Sequence, residues 1–256
     1  GHGLHFYKDA PILNWILYYP VEKFCARFTD CLITINEEDY SNVTQHKFKA
    51  SEIRHVHGVG VSLDRFRIHT PAEKEALRLK YGYKAEDYIM IVVAELNKNK
   101  NQKFLIKSVS HMQKRFPQIK LLLVGKGEQQ EELSNMVKEL KLDSSVFFLG
   151  YRNDIDCLLG MSDVLVTASY REGLAVNIME AMASGLPVIC TDVRGQRDLI
   201  KDRENGILYP INDEQRFSEA VGKLVDNSEL ADKIRDNNVR DVRIFSIDHV
   251  IKEMAA

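Results

Sequence analysis

The sequence predicts an α/β protein: a doubly wound parallel sheet, preceded by a partial second α/β domain. Three observations carry that prediction. From residue 88 onward, short apolar runs alternate with helical periodicities, the rhythm of βα units. The runs are continuous rather than alternating, as strands buried on both faces are. Ahead of them, Gly58-Val59-Gly60-Val61-Ser62 breaks both periods, so residues 58–66 read as a linker.

The elements follow in order. Residues 9–28 are expected to form a helix: Asp9 suits an N-cap, Pro11 suits the first turn, and Ile12, Trp15, Ile16 and Tyr19 recur at helical spacing. Pro20 is expected to kink it. Cys31-Leu32-Ile33-Thr34-Ile35 reads as a strand, residues 37–48 as a helix and 53–57 as a second strand. Two strands are too few to close a sheet, so residues 1–57 read as the end of an α/β domain whose beginning is absent. In residues 67–245, strands are predicted at 88–94, 120–124, 146–149, 164–167, 188–190 and 206–208. Helices are predicted at about 102–115, 128–141, 153–160, 174–184, 195–201, 213–226 and 229–240. Residues 246–256 begin a last helix. A sheet of this kind binds its ligand outside the carboxyl ends of its strands.

The 256 residues suit one large domain, or one domain with part of another. Apolar residues at 45% and charged residues at 28% describe a soluble protein with a substantial core. With 35 Lys and Arg against 37 Asp and Glu, the net charge of -2 gives no field for nucleic acid, and none is expected as a partner. Cys25, Cys31, Cys157 and Cys190 are scattered singly, which suits a reducing, cytoplasmic location. No run approaches the roughly 18 apolar residues of a membrane span, and the opening residues do not read as a signal core. The aromatic stripe Trp15, Tyr18, Tyr19 and Phe24 reads as core. Its other reading is peripheral contact with a membrane surface or a lipid-linked acceptor.

The segment 168–188 carries the most chemistry. A strand ends near Ala168, a loop carries Glu172-Gly173, and a helix begins at about Leu174. Free N–H groups at such a start attract an anion, and Gly173 lets a ligand approach the backbone. Glu172 stands just before the helix, and Glu180 on its second turn needs a partner such as ribose hydroxyls. Two acceptors flanking an anion site suit a sugar, a diphosphate and a ribose in a row. The plainer alternative is a helix N-terminal acid and a solvated helix acid. In the loop Glu95-Leu96-Asn97-Lys98-Asn99-Lys100, the lysines precede a helix, where a phosphate would settle. Gly125-Lys126-Gly127 follows a strand and opens a helix, a weak signal by itself.

With seven residues between Glu172 and Glu180, and Ala181-Met182-Ala183-Ser184-Gly185-Leu186-Pro187-Val188-Ile189 after them, the segment resembles the signature of the retaining family-four (group 1) glycosyltransferases. Their GT-B fold has two α/β domains, the second Rossmann-like. The resemblance covers nearly the whole chain, and residues 246–256 resemble the start of the family's C-terminal crossover helix. It assigns residues 1–57 to the acceptor side and 67–245 to the donor side. It implies that Glu172 contacts donor-sugar hydroxyls, that Glu180 holds the ribose, and that the backbone of Gly173, Leu174, Ala175 and Val176 binds sugar and diphosphate. Lys100 matches a diphosphate-binding Lys. The family's Arg five residues earlier is replaced by Glu95, leaving Lys98 or Asn97 to compensate. Gly125 and Gly127 would lie along the nucleotide, and Gly150, Tyr151 and Arg152 near the base, with Arg152 either stacked on it or a surface charge. Gly1-His2-Gly3-Leu4-His5 resembles the acceptor-side motif, which puts the sugar-facing histidine at His2, ahead of His5.

What the resemblance implies is retaining transfer of a sugar from a nucleotide-diphosphate sugar, UDP by family frequency, to a saccharide or lipid-linked saccharide in capsule or cell-surface polysaccharide synthesis. No cofactor or metal is expected: no Asp-x-Asp motif is read as a metal clamp, and His46, His55, His57, His69, His111 and His249 show no pairing spacing that suggests a metal site. A donor-binding module without turnover and a sugar-nucleotide 2-epimerase stay open as alternatives. A nicotinamide-dependent dehydrogenase is the weakest, because no Gly-x-Gly-x-x-Gly opens the first strand of the doubly wound part.

Overall fold

The protein is described by a computed structural model over residues 4–7 and 10–255. Its contacts divide it into two units, Gly1–Gly60 with Ile244–Ala256, and Val61–Arg243.

In the first unit, α1 (Ile12–Cys25) runs through Pro20 without a break and ends in a 3-10 turn at Ala26–Phe28. Asp9 lies outside the described residues. β1 (Cys31–Thr34) pairs in parallel with β2 (Glu52–His55), and α2 (Glu37–Gln45) connects them, capped by Asn36, whose side chain accepts from the Asp39 amide. Phe6, Ala26, Val43 and Phe48 make a small core against which Trp15 and Tyr19 pack. The core expectation fails for Tyr18 and Phe24. Both lie on a second apolar face of α1 with Ile12 (79% exposed), Leu13, Ile16, Leu17 and Val21. The helix is apolar on more sides than this small core covers.

The second unit opens with α3 (Pro71–Tyr81), which the sequence reading passed over. Its start is well marked: Thr70 accepts from the Glu73 amide while the Glu73 side chain accepts from the Thr70 amide, with Pro71 in the first turn. Then come β3 (Tyr88–Val93), α4 (Gln102–Met112), β4 (Ile119–Val124), α5 (Gln130–Glu139), β5 (Val146–Gly150), α6 (Ile155–Met161), β6 (Val164–Val166), α7 (Val176–Ala183), β7 (Val188–Thr191), β8 (Ile207–Tyr209), α8 (Glu214–Asp226) and α9 (Ser228–Asp241). All six strands pair in parallel, in the order β5-β4-β3-β6-β7-β8. That is the third-second-first-fourth-fifth-sixth order of the Rossmann arrangement, which reverses between β3 and β6. The parallel pairing follows from the sequence: Met90, Leu121, Leu123, Val164, Val166 and Ile189 are all buried in one core with helix residues such as Leu105, Leu133 and Phe217.

The helix expected at 195–201 does not form; residues 194–199 are successive turns. The Gln196 side chain is buried there, donating to the Thr167 hydroxyl with its amide oxygen 3.0 Å from the Thr191 hydroxyl, which holds the segment to neighbouring strands instead of to itself. A last helix, α10 (Ile247–Ala255), belongs to the first unit. Among the described residues, no helix is long and apolar enough to cross a membrane.

Candidate functional site

A cavity of about 830 Å³ lies outside the carboxyl ends of β3, β4 and β5, within the size range of small-molecule sites. Its wall includes Val93, Ala94 and Glu95 after β3, Gly125 and Lys126 after β4, and Tyr151 and Arg152 after β5. Glu180 enters it from α7 and Arg65 from the start of the unit.

Glu180 is a half-buried acid in that wall. Burial pushes its carboxyl up to about 7, only partly offset by the positive charge of Arg65. Its side chain makes no hydrogen bond among the described residues, although the Glu180 carbonyl accepts from the Ser184 hydroxyl at 2.9 Å. A half-buried acid facing a cavity without a donor is a group prepared for a ligand that brings one.

Glu172 does not line this cavity. It sits beside it, where the loops following β3 and β6 meet at the reversal of strand order. Asn99 bridges those loops, accepting from the Tyr170 amide at 2.9 Å and donating to the Arg171 carbonyl at 3.0 Å. Lys100 donates to the Glu172 carboxylate at 2.5 Å, and both side chains are largely buried, 22% and 12% exposed. Each is the other's counter-charge, so neither is left uncompensated.

α7 begins at Val176, two residues later than expected, and no side chain caps it. The Ile178 amide already donates to the Ala175 carbonyl and the Asn177 side chain, so among the described residues the Val176 and Asn177 amides are the ones left without an acceptor, and Gly173, Leu174 and Ala175 form the approach to them. The Asn177 side chain donates to the Val93 carbonyl, fixing this start to the end of β3. From beneath, Thr191 donates to the Ser169 carbonyl and Tyr209 to the Thr167 carbonyl, both at 2.7 Å. Gly195 presses closely: a Cβ there would lie 2.3 Å from the Gly173 carbonyl oxygen. Thr191, Gln196, Tyr209 and Gly195 are supports that sequence reasoning missed, since they act through burial and not through any motif.

The two glycines of Gly125-Lys126-Gly127 have a structural reason of their own. A Cβ on Gly125 would lie 2.0 Å from the Ala94 carbonyl oxygen, and one on Gly127 2.2 Å from that of Leu96. Side chains are absent because two loops touch. Gly125 also lines the cavity, whereas Gly127 does not. Gly150 accepts from the Gly125 amide at 2.8 Å and directs the exposed Tyr151 into the cavity wall. Arg152 reaches the wall with its charge already engaged, pairing with Asp154 at 2.8 and 2.5 Å over the Tyr81 ring.

Asn97 and Lys98, expected to compensate for Glu95, are not part of the cavity wall. The Asn97 side chain accepts from the Lys100 amide and donates to Glu95, so it shapes the loop. Lys98 is exposed, with Glu132 of α5 within electrostatic reach, outside the cavity wall. Glu95 lines the wall, and the cations beside it are Lys126, Arg65 and Arg152. Lys126 sat inside a motif read only for its glycines, and Arg65 lies in a linker with no period to mark it. One Asp-x-Asp run does exist, Asp154-Ile155-Asp156, which the sequence reading overlooked. Its carboxylates are held by Arg152 and Tyr81 on one side and by Arg65 on the other. His2 lies outside the described residues. His5 stacks on Tyr18 at 4.5 Å and contacts Glu22.

The family model described as "Glycosyl transferases group 1" matches residues 73–241. The putative glycosyltransferase EpsD of Bacillus subtilis is 40% identical over 255 residues, covering 100% of this chain and 67% of that protein. The UDP-Gal:alpha-D-GlcNAc-diphosphoundecaprenol alpha-1,3-galactosyltransferase of Escherichia coli is 29% identical, covering 99% of this chain and 65% of that protein. This chain thus spans about two thirds of the length of these relatives. Among solved structures, Anabaena Alr3699/HepE in complex with UDP superimposes with a TM-score of 0.86 at 21% identity, covering 99% of this chain and 69% of that one. Sucrose-phosphate synthase from Thermosynechococcus elongatus gives 0.79 at 22% identity, over 96% and 61%. These two likenesses concern the fold, the α/β class with a Rossmann-like sheet. The family model over more than half of the chain and the 40% identity to EpsD lead to one conclusion: this chain belongs to the group 1 glycosyltransferases.

Proposed function

We propose that this chain is the donor-binding part of a retaining glycosyltransferase that moves a sugar from a UDP-sugar to a saccharide or lipid-linked saccharide acceptor during polysaccharide synthesis. The observation that carries it is Glu180: a half-buried carboxyl in a cavity at the carboxyl ends of the strands, raised to about 7 and without a side-chain hydrogen bond among the described residues, a group that suits ribose hydroxyls as donors. Two relatives support the choice of nucleotide, one named for UDP-galactose and one solved with UDP.

In this reading the diphosphate lies against the uncapped start of α7. Lys100 exchanges its bond to Glu172 for one to the diphosphate, and Glu172 turns to the sugar hydroxyls. Breaking the bond between the anomeric carbon and the diphosphate oxygen puts negative charge on the leaving group, which Lys100 and the α7 amides stabilise. The acceptor hydroxyl attacks from the same face and its proton passes to the departing diphosphate. His2 is assigned to the sugar from the acceptor side. A cytoplasmic place of action, with the exposed face of α1 against the membrane, belongs to the same proposal.

A thermal-shift panel of UDP, UDP-sugars, GDP and ADP tests it. A ligand at a hundredfold excess over its dissociation constant adds about 2.7 kcal/mol. Stabilisation by UDP and at least one UDP-sugar is expected, and stabilisation by none of the nucleotides would refute the proposal. Product analysis without added acceptor separates transfer from 2-epimerisation.

A further inference from the structure

We propose that His57, His249 and Glu253 form a site for one divalent transition-metal ion of the zinc class within the first unit. One donor atom from each lies within 4.8 Å of the other two. Glu253 Oε1 is 2.6 Å from His57 Nδ1 and 3.2 Å from His249 Nε2. Zinc bonds of about 2.0–2.1 Å in tetrahedral geometry set ligands about 3.3 Å apart, so small side-chain rotations bring all three into place.

The ligand chemistry selects the ion. Two imidazoles and one carboxylate suit zinc and its neighbours, whereas an all-oxygen set would suit magnesium or calcium. His249 and Glu253 are four residues apart on α10 and share one face. His57 lies just past β2, and its amide donates to Glu253 Oε2 at 3.0 Å, holding the carboxylate in orientation. The Phe245 ring stands 5.6 Å from that of His57 and closes one side. The three side chains are 33%, 44% and 23% exposed, so an ion can enter and a water can complete its shell.

Without a metal, Glu253 Oε1 contacts both rings. With it, each imidazole presents a lone pair, its proton moving to the other ring nitrogen, and no electron transfer is involved. The ion then ties α10 to the end of β2. His57 and Glu253 are 196 residues apart in the chain, and a link that closes a long loop restricts the unfolded chain strongly. The site is a staple, independent of the donor cavity.

The test uses the full chain without a histidine tag, stripped with EDTA and desalted. Zinc is titrated against a chromogenic chelator, cobalt(II) uptake is followed by its visible ligand-field bands, and thermal unfolding is recorded with and without zinc. The expected results are one equivalent bound, tetrahedral cobalt bands and a raised melting temperature. Glu253→Gln and His249→Asn should each weaken binding at least about tenfold, with circular dichroism confirming that they fold. His111→Asn, at an exposed His–Glu pair of the second unit, should bind as the unsubstituted chain does. No zinc or cobalt uptake by the unsubstituted chain overturns the proposal, as does uptake unchanged in His249→Asn or lost in His111→Asn.

Discussion

Replacing Glu180 by Gln should stabilise the free protein while weakening its hold on a nucleotide. The carboxyl is raised from 4.5 to about 7, mainly by burial. At 1.36 kcal/mol per pH unit, that shift corresponds to about 3 kcal/mol of resistance to ionisation in the fold, and partial solvent screening reduces it to roughly 1–2 kcal/mol. The sign follows from linkage. The folded chain holds this proton more tightly than the unfolded one. Its contribution is therefore full below about pH 4.5, falls as pH rises through about 7, and is constant above that. Gln has no such dependence. The variant should match the parent near pH 4.5 and exceed it by about 1–2 kcal/mol at pH 8, or about 3–6 °C in melting temperature for a unit of this size. Melting curves of both proteins from pH 4.5 to 8.5 measure it. A variant less stable than the parent at pH 8, or an offset that is the same at every pH, refutes the reasoning.

Lys100→Met strands the largely buried Glu172 and should cost about 2–4 kcal/mol in urea unfolding, while Lys100→Met with Glu172→Gln should recover most of it. Gly125→Ala drives a Cβ onto the Ala94 carbonyl and should destabilise by about 1–3 kcal/mol, with Gly82→Ala as a control for left-handed backbone in open space, since nothing lies near a Cβ there. Thr70→Ala removes one half of the capping box of α3 and should cost about 1 kcal/mol by denaturant titration without altering nucleotide affinity.

Much of the second unit was legible because burial on both faces writes itself into sequence as continuous apolar runs. Those at 88–93, 119–124 and 188–191 could hardly be anything but interior strands, and their spacing implied parallel connections. Glu172 and Glu180 stood out through the family resemblance of their spacing and flanking run, because two acids around a helix start also have a plain structural reading. What stayed hidden depended on contacts distant in the chain. Arg65 reaches the cavity from a segment without periodicity. Gln196 abandons a helical pattern because Thr167 and Thr191 offer its amide buried partners. The meeting of His57 with His249 and Glu253 joins side chains up to 196 residues apart, which no local spacing announces. The mistaken core reading of Tyr18 and Phe24 has a similar source, since periodicity marks an apolar face without saying what covers it. The capping box of Thr70 and Glu73, by contrast, is fully local and marks the start of α3 in the sequence itself.

Calorimetric titration with UDP from pH 6 to 8.5, on the parent and on Glu180→Gln, tests the role of this carboxylate most directly. If ribose hydroxyls donate to ionised Glu180, the parent's affinity rises with pH through about 7 and then levels. The variant lacks that component and binds more weakly above it by about 1–3 kcal/mol. Equal affinities with equal pH dependence in the two proteins would contradict the assignment of Glu180 to the nucleotide.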